Sequence, residues 1–235
     1  MSERYDRVAA AHYAAYRPPL HAVALERALG REAGFRVGLD VGCGAGHSAV
    51  ALAERCRVVH ALDPSFDMLR CAAAHPRVRY LRGIAERLPL AMGSCDVVTF
   101  AGSLFYADLA AAAGEVARVG RGGIAVVYDF QVLLGELIAE LGCGEASTTS
   151  RYDPRVNLRG APALAEMSVG TERLGFALGM RQLAHLLLAD SHICDCLARK
   201  LGAQDLFTAV VARLGAPGEQ VTVEADIYFA KYRVA

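Results

Sequence analysis

Apolar residues along the chain cluster in short runs rich in Val, Leu and Phe, and Ala-rich stretches of helical character separate these runs. The runs lie at 35–41, 57–63, 78–82, 95–101 and 122–130. Strand-like runs that alternate with helices predict an α/β fold with a parallel sheet. The runs at 95–101 and 122–130 lack polar alternation, which is typical of central strands covered on both faces. We therefore predict a doubly wound, mostly parallel sheet.

After residue 130 the pattern changes. Residues 131–141 favour a helix, 142–162 are rich in Gly, Ser, Thr and Pro, and 163–168 favour another short helix. Because this stretch interrupts the alternation of strands and helices, we interpret 131–168 as a cap inserted into the sheet domain.

The two ends of the chain complete the prediction. Polar and apolar residues alternate over 219–229, which predicts a last strand with one wetter face, antiparallel and paired with 171–179. Residues 181–214 between them favour helix, and Pro18-Pro19 breaks a helical N-terminus. We predict a single domain over 1–235. Its parts are an N-terminal helical lid at 1–30, a core at 35–130, the cap at 131–168, and C-terminal strands and helices at 171–235.

Composition narrows the class of partner. The 25 basic and 25 acidic residues cancel, so no net field draws the protein to nucleic acid or to an anionic membrane. The N-terminus lacks a basic segment followed by an apolar run, and no long apolar stretch is present. These features predict a small-molecule partner, no nucleic acid, no membrane and a cytoplasmic location, and they leave the oligomeric state open.

The cysteines lie at 43, 56, 71, 95, 143, 194 and 196, without the regular spacing of a disulfide framework. We expect reduced thiols. Cys194 and Cys196, near His185 and His192, could suggest a metal site. Side chains two residues apart on a helix point in different directions, however, so we predict that no metal is bound.

The most informative stretch is a glycine-rich loop after the first predicted strand. Gly42, Gly44 and Gly46 alternate there, so the backbone can turn sharply and leaves no Cβ to obstruct a ligand. Asp40 precedes the loop and could meet an ammonium group. Asp63 ends the next strand, where its carboxylate could accept hydrogen bonds from both ribose hydroxyls of a nucleoside.

The order G-x-G-x-G, with an acid two residues before it, differs from the G-x-G-x-x-G of NAD-binding proteins. It resembles the first motif of the class I S-adenosylmethionine-dependent methyltransferases. Further segments resemble later elements of that family in the same order, and they lie at 61–69, 83–90 and 118–123. Tyr16-Arg17-Pro18 is similar to an N-terminal element of the small-molecule branch, so the resemblance covers about residues 13–130.

The resemblance implies a Rossmann-like, seven-stranded methyltransferase fold with an antiparallel last strand, and S-adenosylmethionine as cofactor with S-adenosylhomocysteine as product. Asp40 would face the methionyl ammonium, and Asp63 would hold the ribose above the glycines. Ser65 and Met68 would lie near the adenine, and Ala85 would offer its backbone N–H to the ring. The full predicted cofactor set is Tyr16, Arg17, Asp40, Gly42, Cys43, Gly44, Gly46, Asp63, Pro64, Ser65, Met68, Ala85, Glu86, Ala101 and Phe105.

Two positions depart from the family pattern. Many relatives have an acid where this chain has Ile84, so Glu86 would have to supply any side-chain bond to the adenine amino group. Relatives often have His-Trp where Phe105-Tyr106 stands, so no role of that histidine transfers to this chain.

The predicted reaction is methyl transfer to an O, N or C nucleophile of a small organic acceptor. The acceptor could belong to specialised metabolism. Only some acceptors need a base, so the catalytic residue is left open, with His12, Tyr13, Tyr106, His185 and His192 as candidates. The predicted walls of the acceptor pocket are His12, Tyr13, Tyr16, Phe105, Tyr106, Asp129, Phe130, Tyr152, His185 and His192.

Two alternatives stay open at the level of sequence. The chain could use S-adenosylmethionine structurally, as a cyclase or a binding module. It could also be an NAD-dependent oxidoreductase, if the likeness of the glycine spacing to the methyltransferase motif were accidental.

Overall fold

A computed structural model describes residues 7–144, 152–216 and 218–235. The first six residues of the predicted lid, and residues 145–151 of the predicted cap, lie outside the described residues. The described helices are α1 Arg7–Ala15, α2 Leu20–Leu29, α3 His47–Ala53, α4 Phe66–Arg70, α5 Leu109–Val119, α6 Gly135–Glu140, α7 Met180–Leu188, α8 Ser191–Leu201 and α9 Leu206–Leu214, with a 3-10 turn at Leu104–Tyr106. The described strands are β1 Phe35–Val41, β2 Cys56–Asp63, β3 Val78–Arg82, β4 Val97–Ala101, β5 Ile124–Leu133, β6 Leu164–Gly179 and β7 Gln220–Val234.

The strands of the described chain form one seven-stranded sheet in the order β3-β2-β1-β4-β5-β7-β6. Strands β1 to β5 are parallel, and the last strand, β7, is antiparallel. The predicted fold class is therefore confirmed. The order reverses between β1 and β4, and a crevice at such a switch point is where open α/β sheets bind ligands.

The largest error of the sequence-based prediction concerns residues 163–168. They were expected to be helical, but they belong to β6, which runs from Leu164 to Gly179. The residues that follow Leu164, up to Val169, are all exposed at the edge of the sheet, so this part of β6 lacks the alternation that marks a half-buried strand. Hydrogen bonds to β7 stabilise this segment as a strand, although its local sequence does not favour one. Strand β5 also extends to Leu133, beyond the predicted start of the cap.

The chain divides into two compact units. The sheet unit consists of Pro19–Gln131, Tyr152–Glu172 and Ile227–Ala235. The helical unit consists of Met1–Pro18, Val132–Arg151 and Arg173–Asp226. Of the predicted lid, α1 thus belongs to the helical unit and α2 to the sheet unit. The predicted division into lid, core, cap and C-terminal part stays a prediction.

In the sheet unit, apolar side chains of the central strands form the core. Leu39, Val98, Phe100 and Ala125 are fully buried in one cluster with Tyr232 of β7. Strands buried on both faces need no polar alternation, which explains the continuous apolar runs in the sequence. This core fixes the carboxyl ends of the parallel strands, where the candidate site lies.

The helical unit has its own core, built from apolar residues spaced four apart on α7 and α8. Leu183 and Leu187 of α7 pack in one cluster with Ile193 and Leu197 of α8 and Val210 of α9. This spacing places both residues of each pair on the same face of their helix. No helix in the described part of the chain is long and apolar enough to cross a membrane.

The helical unit also contains a disulfide bond between Cys143, which follows α6, and Cys196 of α8. The expectation that all seven cysteines are reduced is therefore wrong for this pair. The two residues are 53 positions apart, and the packing of the unit brings them together. Sequence spacing alone does not reveal such a pair.

Candidate active site

The glycine-rich loop joins β1 to α3 and has the sharp turn that its sequence predicts. Gly42, Gly44 and Gly46 have φ values of +73°, +53° and +84°, which L residues with a side chain rarely adopt. The N–H groups of Gly42 and Cys43 donate to the carbonyl oxygen of Leu62 in β2, at 2.7 and 3.0 Å. The loop is therefore held against the carboxyl end of β2.

The three glycines differ in the space around them. A Cβ on Gly42 would overlap the side chain of Ser103, and a Cβ on Gly46 would overlap the Tyr80 hydroxyl. A Cβ on Gly44 would meet only the methyl group of Met68, at 3.4 Å. Gly42 and Gly46 thus serve close packing within the protein, whereas Gly44 borders space in which a ligand can lie against the backbone.

Asp63 connects this loop to the next one. It ends β2, is 8% exposed, and accepts hydrogen bonds from the N–H groups of Gly44 and Ser65, both at 2.8 Å. Each carboxylate oxygen has a further lone pair, so these bonds leave capacity for ribose hydroxyls. Asp63 therefore holds the two loops that border the space at Gly44.

Asp40 lies beneath the loop and is fully buried. Its carboxylate accepts hydrogen bonds from the hydroxyls of Ser48, at 2.5 Å, and Thr99, at 2.8 Å. Burial raises the pKa of Asp40 to about 6, and the two hydroxyl bonds partly oppose this increase. In this structure Asp40 ties β1 to α3 and β4. Its contact with a methionyl ammonium stays a prediction.

We expect Asp40→Asn to change the pH dependence of stability. The folded-state pKa of Asp40 is raised, so its favourable contribution is complete below the ordinary value of 3.8 and is lost as pH rises through about 6. Asparagine cannot ionise. The free energy of unfolding of the variant, relative to that of the parent protein, should therefore increase by about 2 to 3 kcal/mol between pH 4 and pH 7.5. Chemical denaturation across this range measures the difference, and a difference that does not vary with pH would contradict the assignment.

The segments after β2 and β3 hold the other cofactor residues that the sequence predicts. Ser65 caps α4 by accepting a hydrogen bond from the N–H of Met68. Ile84, where relatives have an acid, is 48% exposed. Glu86 accepts a hydrogen bond from the N–H of Asp108, so one of its oxygens supports the start of α5. Glu86 would have to use its second carboxylate oxygen for the predicted hydrogen bond from the adenine amino group.

A group of aromatic and polar residues lies beyond the end of β4, beside Asp129 of β5. The Tyr152 hydroxyl is within hydrogen-bonding distance of the Asp129 carboxylate and of the Gly102 carbonyl oxygen. The ring of Phe105 packs against those of Tyr106 and Tyr152, with centroids 5.4 and 5.0 Å apart. The structure thus brings together four of the predicted wall residues of the acceptor pocket.

Other candidates belong to the helical unit. His12 and His185 lie together, with their Nδ1 atoms 2.9 Å apart, and the ring of Phe207 stacks on His12. One Nδ1 must donate and the other accept, so the accepting ring must be neutral. Burial lowers the pKa of both rings, which favours the neutral form. His192 has an exposed side chain at the start of α8 and lies outside this pair.

Four further predicted residues have packing partners within their own units. The Arg17 guanidinium lies over the Tyr13 ring, 4.4 Å from its centroid, and Tyr16 packs against the apolar core of the helical unit. In the sheet unit, the ring of Phe130 packs edge-on against His21, with centroids 4.9 Å apart. Cofactor roles for Tyr16 and Arg17 stay predictions.

Sequence reasoning missed four residues that shape the site, namely Ser48, Tyr80, Thr99 and Ser103. Thr99 carried a usable signal, because it is a polar residue within the apolar run of β4. It lies beside Asp40 in the parallel register of β1 and β4. Ser103 and Tyr80 carried no such signal, since their role is to fill the space that a glycine leaves.

The order of the strands and the antiparallel last strand define a Rossmann-like α/β fold. Residues 39–127 match the family described as "Methyltransferase domain". An uncharacterized methyltransferase of Mycobacterium tuberculosis is 43% identical over 86 residues, which are 36% of this chain and 35% of that protein. A malonyl-[acyl-carrier protein] O-methyltransferase of Pectobacterium atrosepticum is 38% identical over 92 residues, 38% of this chain and 36% of that protein. The matched region thus spans about a third of the length of these relatives.

A solved structure extends the likeness in fold to most of the chain. A protein of Anaeromyxobacter dehalogenans described as a type II methyltransferase has a TM-score of 0.63 and 23% identity, covering 93% of this chain and 98% of that one. The match in sequence covers residues 39–127, and over that segment the chain resembles a methyltransferase domain.

Proposed function

We propose that this protein binds S-adenosylmethionine at the carboxyl edge of the sheet unit and transfers its methyl group to a small organic acceptor. The observation that carries the proposal is the hydrogen bond between Gly44 and Asp63. It brings the glycine loop and the carboxylate of the next strand together beside the space at Gly44. A backbone without a side chain, next to an acceptor of hydroxyl protons, fits a nucleoside.

The described residues suggest how the cofactor would be held. Asp63 would accept hydrogen bonds from the ribose hydroxyls, and the methionyl part would pass over Gly44. The remaining members of the predicted set in the sheet unit lie in β1, β4 or the segments that follow β1 to β4, and they are Asp40, Gly42, Cys43, Gly46, Pro64, Ser65, Met68, Ala85, Glu86, Ala101 and Phe105. Ala85 would donate its N–H to the adenine, with Met68 and Ile84 as apolar neighbours.

The cofactor supplies an electrophilic methyl group on a sulfonium. The protein would contribute mainly by holding the acceptor in line with that methyl group and by excluding water. A small acceptor is consistent with the zero net charge, which provides no attraction for a polyanion. A base on the protein is needed only if the acceptor arrives protonated.

Calorimetry with S-adenosylhomocysteine and with NAD tests the cofactor. We expect S-adenosylhomocysteine to bind at micromolar concentration and NAD to bind far more weakly, because the loop lacks the pyrophosphate spacing. Tighter binding of NAD would contradict the proposal.

Transfer is tested by incubating the protein with methyl-labelled cofactor and a metabolite extract. Label should appear in a small molecule in the presence of protein only. Tight cofactor binding without any label transfer would favour structural use of the cofactor, as in a cyclase or a binding module.

A further inference from the structure

We propose that His12 and His185 form a pH-sensitive contact that holds α1 on the helical unit while the two imidazoles carry at most one positive charge, and that releases α1 when both are charged. His12 lies on α1 and His185 on α7, and both helices belong to the helical unit. This contact is independent of the cofactor and of the acceptor in the proposed reaction.

The two imidazoles face each other through the same ring atom. Their Nδ1 atoms are 2.9 Å apart, which is a hydrogen-bond distance, and their ring centroids are 5.1 Å apart. The ring of Phe207, on α9, lies against both, with its centroid 5.6 Å from that of His12 and 4.4 Å from that of His185. Both histidines are partly buried. Each ring therefore meets the other histidine and an apolar surface.

The bond between the two Nδ1 atoms tolerates a first proton but not a second. One ring can be protonated on both of its nitrogens and still donate from Nδ1 to the neutral ring, in a bond that the charge strengthens. His12 and His185 each lie in the last turn of their helix, where one positive charge is favoured. When both rings are charged, however, both Nδ1 atoms carry hydrogens. The bond then has no acceptor, and two positive charges face each other.

A positively charged side chain beside the pair opposes the second proton. The Arg181 guanidinium, one turn before His185 on α7, lies over the Phe207 ring at 4.9 Å from its centroid. Burial lowers the pKa of His185, and the positive charges of His12 and Arg181 lower it further. Burial also lowers the pKa of His12. Arg17, two residues after α1, adds a charge of the same sign to this end of the helix.

The other titratable groups of the packed elements do not offset these charges. At the start of α9, Asp205 accepts hydrogen bonds from the N–H and the hydroxyl of Thr208, at 3.1 and 2.7 Å. On α8, His192 and Asp195 have exposed side chains. The phenol of Tyr16, just after α1, is neutral because burial raises its pKa. Neither imidazole of the pair is bound to a carboxylate in the part of the chain that the structure describes.

Helix α1 is the element that responds to the second charge. It has nine residues, and a helix shorter than about 12 residues is marginal in water without tertiary contacts. Ala9 is buried, but an alanine side chain removes little apolar area from water. His12 supplies a hydrogen bond that joins α1 to α7. Loss of this bond, with repulsion in its place, should therefore undock α1.

The direction of the pH effect follows from the lowered pKa values. A histidine whose folded-state pKa lies below its ordinary value of about 6.5 stabilises the docked form above that value, and this contribution is lost as pH falls below it. Two coupled rings take up their protons in separate steps. We therefore expect α1 to be docked at pH 7.5 and released after the second step, at mildly acidic pH.

Hydrogen exchange read by mass spectrometry tests the inference on the full chain, at pH 7.5 and pH 4.5, with rates corrected for the intrinsic effect of pH. We expect the protection of the α1 amides, in peptides that span 7–15, to fall at least tenfold at the lower pH. The amides of α7, in peptides that span 183–188, should change less than threefold, because the core of the unit stays packed.

His12→Asn separates charge from contact. An asparagine amide can still donate to or accept from His185, but it cannot become charged. The pair then carries at most one charge, so the protection of α1 should stay within threefold between the two pH values. His185→Asn should have the same effect from the other helix. His192→Asn, at an exposed position of α8, removes a histidine outside the pair and should leave the tenfold fall unchanged.

NMR titration of the imidazole 15N shifts in the parent protein identifies the step that releases α1. Protection should be kept after the first proton and lost with the second. Loss of protection with the first proton would overturn the inference, because the bond survives that step.

Three results of the exchange experiment would also overturn the inference. The first is protection of α1 that stays within threefold at pH 4.5 in the parent protein. The second is a tenfold fall that persists in both His12→Asn and His185→Asn, since neither variant can place two charges on the pair. The third is an equal loss of protection in α7, which would assign the change to unfolding of the whole unit.

Discussion

Replacing Gly42 with alanine is expected to lower the free energy of unfolding by about 2 to 5 kcal/mol and to reduce affinity for S-adenosylhomocysteine at least thirtyfold. Gly42 has φ +73°, a conformation that costs an alanine about 1 to 2 kcal/mol. The new Cβ would also overlap the Cβ of Ser103 and lie 2.8 Å from its Oγ. Since a Cβ is fixed to the backbone, the loop itself must shift. Thermal unfolding and calorimetry measure the two effects.

Gly122→Ala is the matched control for Gly42→Ala. Gly122 has a similar φ of +79°, but a Cβ there would meet nothing within 4 Å. Gly122→Ala should therefore lower the free energy of unfolding only by the conformational cost of about 1 to 2 kcal/mol, and it should leave the affinity for S-adenosylhomocysteine unchanged. Equal losses in the two variants would show that the contact with Ser103 carries no weight.

A second substitution separates strain from overlap. Ser103→Gly removes the Cβ that obstructs an alanine at position 42, so adding it to Gly42→Ala should restore part of the stability. Residues in direct contact show such coupling, typically of 0.5 to 3 kcal/mol. Strictly additive losses would place the two side chains apart.

The features that were predictable from sequence depend on short stretches of chain. A turn with positive φ at alternate positions favours glycine, so the local sequence with Gly42, Gly44 and Gly46 is enough to predict the loop. The position of Asp63 also follows from a simple rule, because the carboxyl ends of neighbouring parallel strands share one edge of the sheet. Both inferences need only local sequence and the α/β pattern.

The features that were not predictable depend on contacts between distant residues. Residues 164–168 form a strand because β7 pairs with them, although β7 begins more than fifty residues later. Cys143 and Cys196 meet through the packing of the helical unit. The bond between Asp129 and Tyr152 joins a strand to the predicted cap. None of these contacts has a signature in the local pattern.

The position of Asp40 shows how a correct motif can have a second role. Its place before the glycine loop suggested a ligand for the methionyl ammonium, but Ser48 and Thr99 surround its carboxylate in the structure. A buried carboxylate with two hydroxyl donors organises the loop whether or not it also meets the cofactor. Asp63 has such a double role as well, and here the two roles can be separated by experiment.

Asp63→Asn is expected to lower the free energy of unfolding by about 1 to 3 kcal/mol, and to weaken binding of S-adenosylhomocysteine by a similar amount, which is roughly fivefold to 150-fold. The carboxylate accepts N–H donors from Gly44 and Ser65 on its two oxygens. Asparagine has one oxygen, so its NH2 group would face one of these donors at a cost of about 1 to 3 kcal/mol. The ribose hydroxyls would lose a charged acceptor in addition, worth a similar amount.

Calorimetry of Asp63→Asn and unfolding of the ligand-free protein distinguish the two contributions. The loss of loop bonds lowers the stability of the free protein, whereas the loss of ribose bonds lowers only the affinity. Asp67→Asn removes the same charge from an exposed position four residues later and should change neither quantity appreciably. If the Asp63 variant lost stability but kept its affinity within threefold, Asp63 would only organise the loops and the ribose would be held elsewhere. If the Asp63 variant lost affinity as well as stability, the ribose contact would be assigned to Asp63 itself. One carboxylate with lone pairs on two sides can serve the loops and the ribose together.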